Sequence, residues 1–129
     1  MIVLDASLVI AHLAAAGAHH PRATTFFREH ADADFIVHML TLTEILVGPT
    51  RVGRALDVTR ALASLGIDEW APPSGSAARL AHLRVASGLQ LPDCCVLDAA
   101  IETASPLATF DERLAGAARA AGVTVVAVS

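Results

Sequence analysis

Four acidic residues are spaced along the chain so that their carboxylates could meet at one place and bind a metal ion. Asp5 follows the apolar run IVL, Glu44 stands inside LTLTEILVG, Asp93 opens DCCVLDAA, and Asp111 follows the run LAT by two residues. Carboxylate oxygens are hard ligands that favour Mg²⁺ or Mn²⁺ over zinc. Such an ion activates a water molecule and can hold an in-line attack on a phosphodiester. These residues therefore indicate metal-dependent phosphodiester hydrolysis.

Each of these acids also has an ordinary structural explanation. Asp5 and Asp111 precede helical patterns, where acids are favoured as N-caps and in the first turn. Thr41 and Glu44 have capping-box spacing in a helix that would begin at Thr41. Asp93 stands in the first turn of a helix, whose N-terminus favours an ionised acid with or without a metal. Taken one by one, the acids leave a metal site and a set of helix caps both open.

The two cysteines of the chain, Cys94 and Cys95, are sequence neighbours. A disulfide between neighbours is strained, and structural zinc sites space their cysteines by two to four residues and need four ligands. We expect both to be small buried apolar groups. Asp98 follows Asp93 by five residues, about 140° round a helix, so the two side chains cannot face the same site. Because Asp98 precedes Glu102 by four residues, we expect those two acids to form an exposed like-charged pair.

Apolar runs alternate with helical patterns along the whole chain. This alternation predicts a single α/β domain, residues 1–129, built as a three-layer α/β/α sandwich with a mainly parallel central sheet. Such sheets bind ligands beyond the carboxyl ends of their strands, where Asp5 and Asp111 would project. We expect Gly48-Pro49 to kink or interrupt the third helix. The predicted strands are 2–4, 35–38, 67–70, 107–109 and 123–128, and the predicted helices are 8–16, 21–31, 41–47, 53–65, 77–86, 92–103 and 111–121.

The bulk composition narrows the class of protein. With 54% hydrophobic and 17% charged residues the chain is compact rather than disordered. No apolar run approaches the ~20 residues needed to cross a bilayer, and no basic segment precedes the first apolar run, so we expect a cytoplasmic protein without a membrane segment. The net charge of −4 argues against a general nucleic-acid binder, unless bound cations neutralise the acids.

The motifs, in this order and spacing, resemble the PIN-domain family, and specifically the VapC-type toxins of toxin–antitoxin (VapBC) pairs. The resemblance runs from MIVLDAS through TLTEILVG and LPDCCVLDAAIETASPLATFDERL to VTVVAV, which is essentially the whole chain. It implies a PIN-like fold with one Mg²⁺ or Mn²⁺ site. Four carboxylates without a cation would repel one another, so at least one should have a raised pKa. The implied metal-binding and catalytic residues are Asp5, Glu44, Asp93 and Asp111, supported by the hydroxyls of Ser7 and Thr109.

The resemblance also implies an activity and partners. Members of this type are endoribonucleases that use metal-activated water to cut RNA, often tRNA or rRNA, and so inhibit translation. They are usually homodimers inhibited by a VapB-type antitoxin. For RNA contacts we single out Arg51 and Arg54, just beyond Glu44, while Arg22 and Arg28 are further candidates for phosphate contacts. Arg79 and Arg84 complete the set of arginines that could reach RNA.

Other α/β families fit these residues less well, and one non-enzymatic function stays open. A receiver domain or a haloacid-dehalogenase-type phosphatase would use a lysine, and all nine basic residues here are arginine. A phosphatase of that type would also carry an acid where this chain has Ser7. The P-loop pattern GxxxxGK[ST] is absent. The alternative that stays open is a catalytically inactive PIN-like module that binds RNA or protein.

Overall fold

The computed structural model describes residues 1–128, which contain one five-stranded sheet. Every neighbouring pair of strands is parallel, so the α/β prediction is confirmed. The strand order is β3-β2-β1-β4-β5, which puts the first strand of the chain in the centre. The strands are β1 (Ile2–Leu4), β2 (Phe35–His38), β3 (Ile67–Trp70), β4 (Leu107–Ala108) and β5 (Val125–Val126).

Helices cover both faces of the sheet because successive strand residues point to opposite sides. The helices are α1 (Ala6–Leu13), α2 (His20–Glu29), α3 (Met39–Arg51), α4 (Ala55–Ser64), α5 (Ser76–Ser87), α6 (Leu91–Thr103) and α7 (Glu112–Ala120). Leu4 and Val37 belong to one apolar cluster, together with residues of α1 to α4. Val3 and Ile36 belong to the other, together with residues of α6 and α7. No helix within residues 1–128 is long and apolar enough to cross a membrane.

The register of the two central strands brings together residues that are far apart in sequence. Leu4 of β1 lies opposite Ala108 of β4, and the strands run in the same direction. The residues that directly follow these strands, Asp5 and Thr109, therefore lie side by side at the same edge of the sheet. The Asp5 N–H donates to the Ala108 carbonyl at 3.2 Å, which extends the ladder one residue into this edge.

Helix α3 differs from its prediction at both ends. It begins at Met39, and the imidazole of His38 caps it by accepting a hydrogen bond from the Leu40 N–H at 2.9 Å. The capping box expected at Thr41 is therefore wrong, because Thr41 lies inside the first turn. The expected interruption at Gly48-Pro49 is also wrong, since the helix continues to Arg51. A proline in the last turn removes one N–H donor and leaves the earlier turns intact.

Helix α6 holds a buried ion pair where the sequence predicted surface. Asp98 is 1% exposed, and its two carboxylate oxygens accept from Nε and Nη2 of Arg79 at 3.0 and 3.2 Å. Glu102 lies 3.2 Å from the same Nε. The expected exposed pair of like charges is therefore wrong: α5 covers α6 and supplies the arginine that both acids share. The prediction for Cys94 and Cys95 is confirmed, because both are buried and free.

Candidate active site

Asp5 is the acid most tightly fixed by its neighbours. It occupies the N-cap position of α1, yet its side chain makes no capping hydrogen bond. Instead its Oδ2 accepts from Ser7 Oγ at 2.8 Å and from Thr109 Oγ1 at 2.6 Å. The side chain is only 8% exposed, so these two hydroxyls hold it in one orientation. Capping does not explain this acid, and its other oxygen has no hydrogen bond within residues 1–128.

Thr109 connects Asp5 to the fourth acid. Its hydroxyl donates to Asp5 and accepts from the backbone N–H of Asp111 at 2.9 Å. Asp111 is a true N-cap, because its Oδ1 accepts from the N–H groups of Arg113 and Leu114 at 2.9 and 3.3 Å. The capping role accounts for one carboxylate oxygen of Asp111, and Oδ2 is left for another ligand.

Glu44 and Asp93 reach the same region from α3 and α6. Glu44 is largely exposed, but partial desolvation raises its pKa, and the charges of Asp5 and Asp93 raise it further. Burial also raises the pKa of Asp93, with further increases from Asp5 and Asp111 that nearby Arg113 partly offsets. The expectation of at least one acid with a raised pKa is thus met by two. Asp93 thus feels the charges of Asp5 and Asp111, and Glu44 feels those of Asp5 and Asp93, which is the behaviour of a carboxylate cluster whose charge is only partly compensated.

The donor set fits a hydrated divalent ion better than a fully enclosed one. Within residues 1–128, no three His, Cys, Asp or Glu side chains are drawn together as a group that could hold a metal. Mg²⁺ is usually bound through one or two carboxylates and keeps several waters, so it does not need such a group. The repulsion among these acids would also be relieved by a cation. Asp5, Glu44, Asp93 and Asp111 are therefore suitable ligands for Mg²⁺ or Mn²⁺.

The arginines considered for RNA contacts fall into two groups. Arg79 is used by Asp98, and Arg84 donates to the Gly88 carbonyl at the end of α5 at 3.1 Å, so both serve the fold. Arg54 is exposed but pairs with Asp57 at 2.9 Å. Arg51, at the end of α3, is exposed to solvent. Arg51 and Arg54 keep their place as predicted RNA contacts, with Arg54 partly neutralised.

The sequence singled out Arg22 but gave no sign that it packs on an aromatic ring next to the acids. The guanidinium of Arg22 lies 4.7 Å from the centre of the Phe110 ring, and the centre of the His19 ring lies 5.2 Å from the same point. Phe110 stands between Thr109 and Asp111 in the sequence, which is the signal that could have drawn attention to it. Its contacts with α2 could not be read from the sequence.

Comparison with known proteins identifies relatives of the fold. The family model described as PIN domain matches residues 2–120. A comparison with curated proteins found no match. Among solved structures, a toxin–antitoxin complex from Klebsiella pneumoniae has a TM-score of 0.74 at 21% identity, covering 90% of this chain and 92% of that one.

Two further structures cover nearly the whole chain. VapC20 of Mycobacterium tuberculosis, described as a sarcin-ricin loop cleaving toxin, has a TM-score of 0.74 at 17% identity, covering 98% of each chain. FitAcB from Neisseria gonorrhoeae has a TM-score of 0.72 at 18% identity, covering 98% of this chain and 97% of that one. At these identities the likeness establishes a shared fold.

Proposed function

Because the chain belongs to the PIN-domain family, we propose that it is a Mg²⁺- or Mn²⁺-dependent endoribonuclease, the VapC-type toxin of a type II toxin–antitoxin pair. The observation that carries this proposal is the acid cluster at the carboxyl edge of β1 and β4. There Asp5 is oriented by two hydroxyls, and Glu44 and Asp93 have raised pKa values. If these acids were purely structural, we would expect a basic residue to pair with them directly, as Arg79 pairs with Asp98.

Each residue of the cluster has a definite task in this proposal. Asp5, Glu44, Asp93 and Asp111 would hold the ion, which supplies an activated water and neutralises charge on the phosphodiester. Ser7 and Thr109 donate to one oxygen of Asp5 and leave the other free to face the ion. Since the Asp5 carboxylate is already held in place, little reorganisation is required when the substrate reacts.

The proposed substrate is tRNA or rRNA, cut in the cytoplasm so that translation stops. Arg51 and Arg54 follow Glu44 on the chain and would contact RNA phosphates beyond the acids. VapC20, which shares the fold, is described as cleaving the sarcin-ricin loop, which supports an RNA substrate. The positions of the new 5′ ends in cleaved RNA distinguish tRNA from rRNA as the substrate.

The proposed protein partners are a VapB-type antitoxin and a second copy of the chain. Large apolar side chains are exposed along α3 and into α4, in a part of the molecule that also contains Glu44. An exposed apolar surface of this kind is typical of protein–protein contact. The Klebsiella structure with the same fold is a toxin–antitoxin complex. The exposed residues are Met39, Leu40, Val47, Val52 and Leu56.

Controlled expression and RNA mapping test the activity. Wild type should arrest growth and produce new RNA 5′ ends, and the purified protein should cut the same RNA only with Mg²⁺ or Mn²⁺. Asp5→Asn and Asp93→Asn should abolish both effects. Asp32→Asn, which changes an exposed acid with no ion pair within residues 1–128, is the matched control. Cleavage that survives in EDTA, or arrest by Asp5→Asn equal to wild type, would contradict the proposal.

The alternative is a catalytically inactive PIN-like module that binds RNA or protein. It is favoured by the finding that, in the described part of the chain, no three potential ligands form a group that could hold a metal. The same assay separates the two functions. An inactive module would bind its partner equally well with Asp5 or Asn at position 5 and would leave RNA intact with every divalent ion.

A further inference from the structure

A small cavity of about 220 Å³ opens beyond the carboxyl ends of β4 and β5. Arg22 of α2 and Arg119 of α7 line it, together with Thr109, Phe110 and the chain after β5. Thr109 is also the residue whose hydroxyl holds Asp5. The cavity therefore shares a wall with the acid cluster, at the edge of the sheet where ligands of parallel sheets bind.

The lining has the charge and rigidity of an anion site. Arg22 is held by two contacts: its Nη2 donates to the Val128 carbonyl at 2.8 Å, and its guanidinium lies 4.7 Å from the Phe110 ring centre. A guanidinium has five N–H donors, so most remain available after this bond. Arg119 is exposed, and no hydrogen bond of its side chain occurs within residues 1–128. Glu112 is the one acid among the lining residues, so the two arginines leave an excess of positive charge.

We propose that Arg22 and Arg119 bind a backbone phosphate of the RNA strand that flanks the phosphodiester being cut. This inference rests on the proposed nuclease function. A divalent ion would offset the repulsion between the four acids and the reacting phosphate, but the neighbouring phosphates also have to approach this acidic edge. The cavity provides two cations next to Thr109 for one of them. Contacts of this kind fix the register of the strand without reading its sequence.

Binding to a fluorescein-labelled single-stranded RNA of mixed sequence tests the site. The measurement uses the non-cleaving Asp93→Asn protein with Mg²⁺, by anisotropy at several KCl concentrations. Arg119→Gln and Arg22→Gln should each weaken binding about tenfold, the size expected for a hydrogen bond to a charged group. In the double variant, the plot of log K against log salt should be less steep by about 0.7, the value for one phosphate on a single strand. Arg60→Gln, at an exposed arginine of α4 outside the cavity, should bind the RNA as tightly as the protein with all its arginines intact.

Arg119→Gln is the decisive variant, because Arg22 also supports the fold through Val128 and Phe110. Melting curves identify any loss of stability in Arg22→Gln, and Arg22→Lys should recover part of the RNA affinity if charge is what matters. Binding by Arg119→Gln equal to that of Arg60→Gln, with an unchanged salt slope, would overturn the inference. A variant that loses affinity for the antitoxin but keeps its affinity for the RNA would also overturn it.

Cleavage by the otherwise wild-type chain separates this inference from the proposed function. Arg119→Gln should raise KM and leave kcat unchanged, as expected when an interaction is equal in ground and transition states. A wild-type chain that cuts RNA while Arg119→Gln has an unaltered KM overturns the phosphate site alone. A wild-type chain that neither binds nor cuts RNA with Mg²⁺ or Mn²⁺ overturns both.

Discussion

Two aspartates on one helix, Asp93 and Asp98, have opposite surroundings. Asp98 is almost completely buried, and both of its oxygens are satisfied by Arg79. Asp93 is half-buried in the first turn of α6, and its pKa is raised by burial and by the charges of Asp5 and Asp111. The chain thus provides a cation for the deeper acid and gathers further acids around the shallower one.

This difference separates a structural carboxylate from a candidate ligand. Burial of an ionised acid is costly unless a partner compensates it, and Arg79 meets that need for Asp98. Around Asp93 the same need is met only in part, by nearby Arg113, which is the condition expected of a site that takes a cation from solution. Substitution of Asp93 and substitution of Asp98 should therefore change different properties of the protein.

The largest expected effect is on RNA cleavage. Asp93→Asn should lower the rate by a hundredfold or more, since an ion's charge stabilisation amounts to several kcal/mol and ~1.4 kcal/mol is a factor of ten. Asp98→Asn, assayed where it remains folded, should retain most of the wild-type rate. Single-turnover cleavage with excess protein measures both. Equal losses for the two variants would show that the helix does not divide the roles in this way.

The next effect is on stability. Asp98→Ala should lower the free energy of unfolding by about 3 kcal/mol, at the lower end for a broken buried pair because Arg79 retains some access to water. Urea denaturation gives the value. Asp93→Asn should not destabilise the metal-free protein. A double-mutant cycle with Arg79→Met should recover part of the loss, and strict additivity would mean that the pair is not coupled.

Metal binding should stabilise the wild type through the Asp93 side of the helix. Mg²⁺ or Mn²⁺ at a hundred times its Kd should add about 2.7 kcal/mol by mass action and raise Tm. Asp93→Asn should reduce this shift, and Asp57→Asn should retain it. Thermal melts over a Mn²⁺ titration measure the effect. No change in Tm at millimolar Mn²⁺ would count against the metal site.

The smallest expected effect is a pH dependence of the metal-free protein. The raised pKa values of Glu44 and Asp93 mean that the folded chain binds protons more tightly than the unfolded chain. Their contribution to stability is therefore greatest below the unfolded pKa values and declines as pH rises through the folded ones. Glu44→Gln should flatten this decline, as measured by denaturation in EDTA from pH 4 upwards. A steeper decline in that variant would contradict the assignment.

Local patterns were sufficient for the order of elements and for the positions of the acids. The predicted strand 67–70 matches β3, and the helix predicted at 92–103 matches α6 within one residue. The patterns failed where a long-range contact decides. The helix predicted to begin with a capping box at Thr41 is capped instead by the His38 imidazole at the end of β2. Asp98 was predicted at the surface because no local pattern indicates that Arg79 pairs with it.

The sequence by itself determined an α/β chain in which Asp5 and Asp111 follow strands and Asp93 starts a helix, because strand and helix periodicity, capping preferences and motif spacing are local properties. The tertiary structure decided which of these acids meet. The hydrogen bond from Thr109 to Asp5 joins residues 104 positions apart, and that from Arg22 to Val128 joins residues 106 apart. Contacts of that range depend on the parallel register of β1 and β4 and on how helices pack across the sheet edge, which no local window of sequence contains.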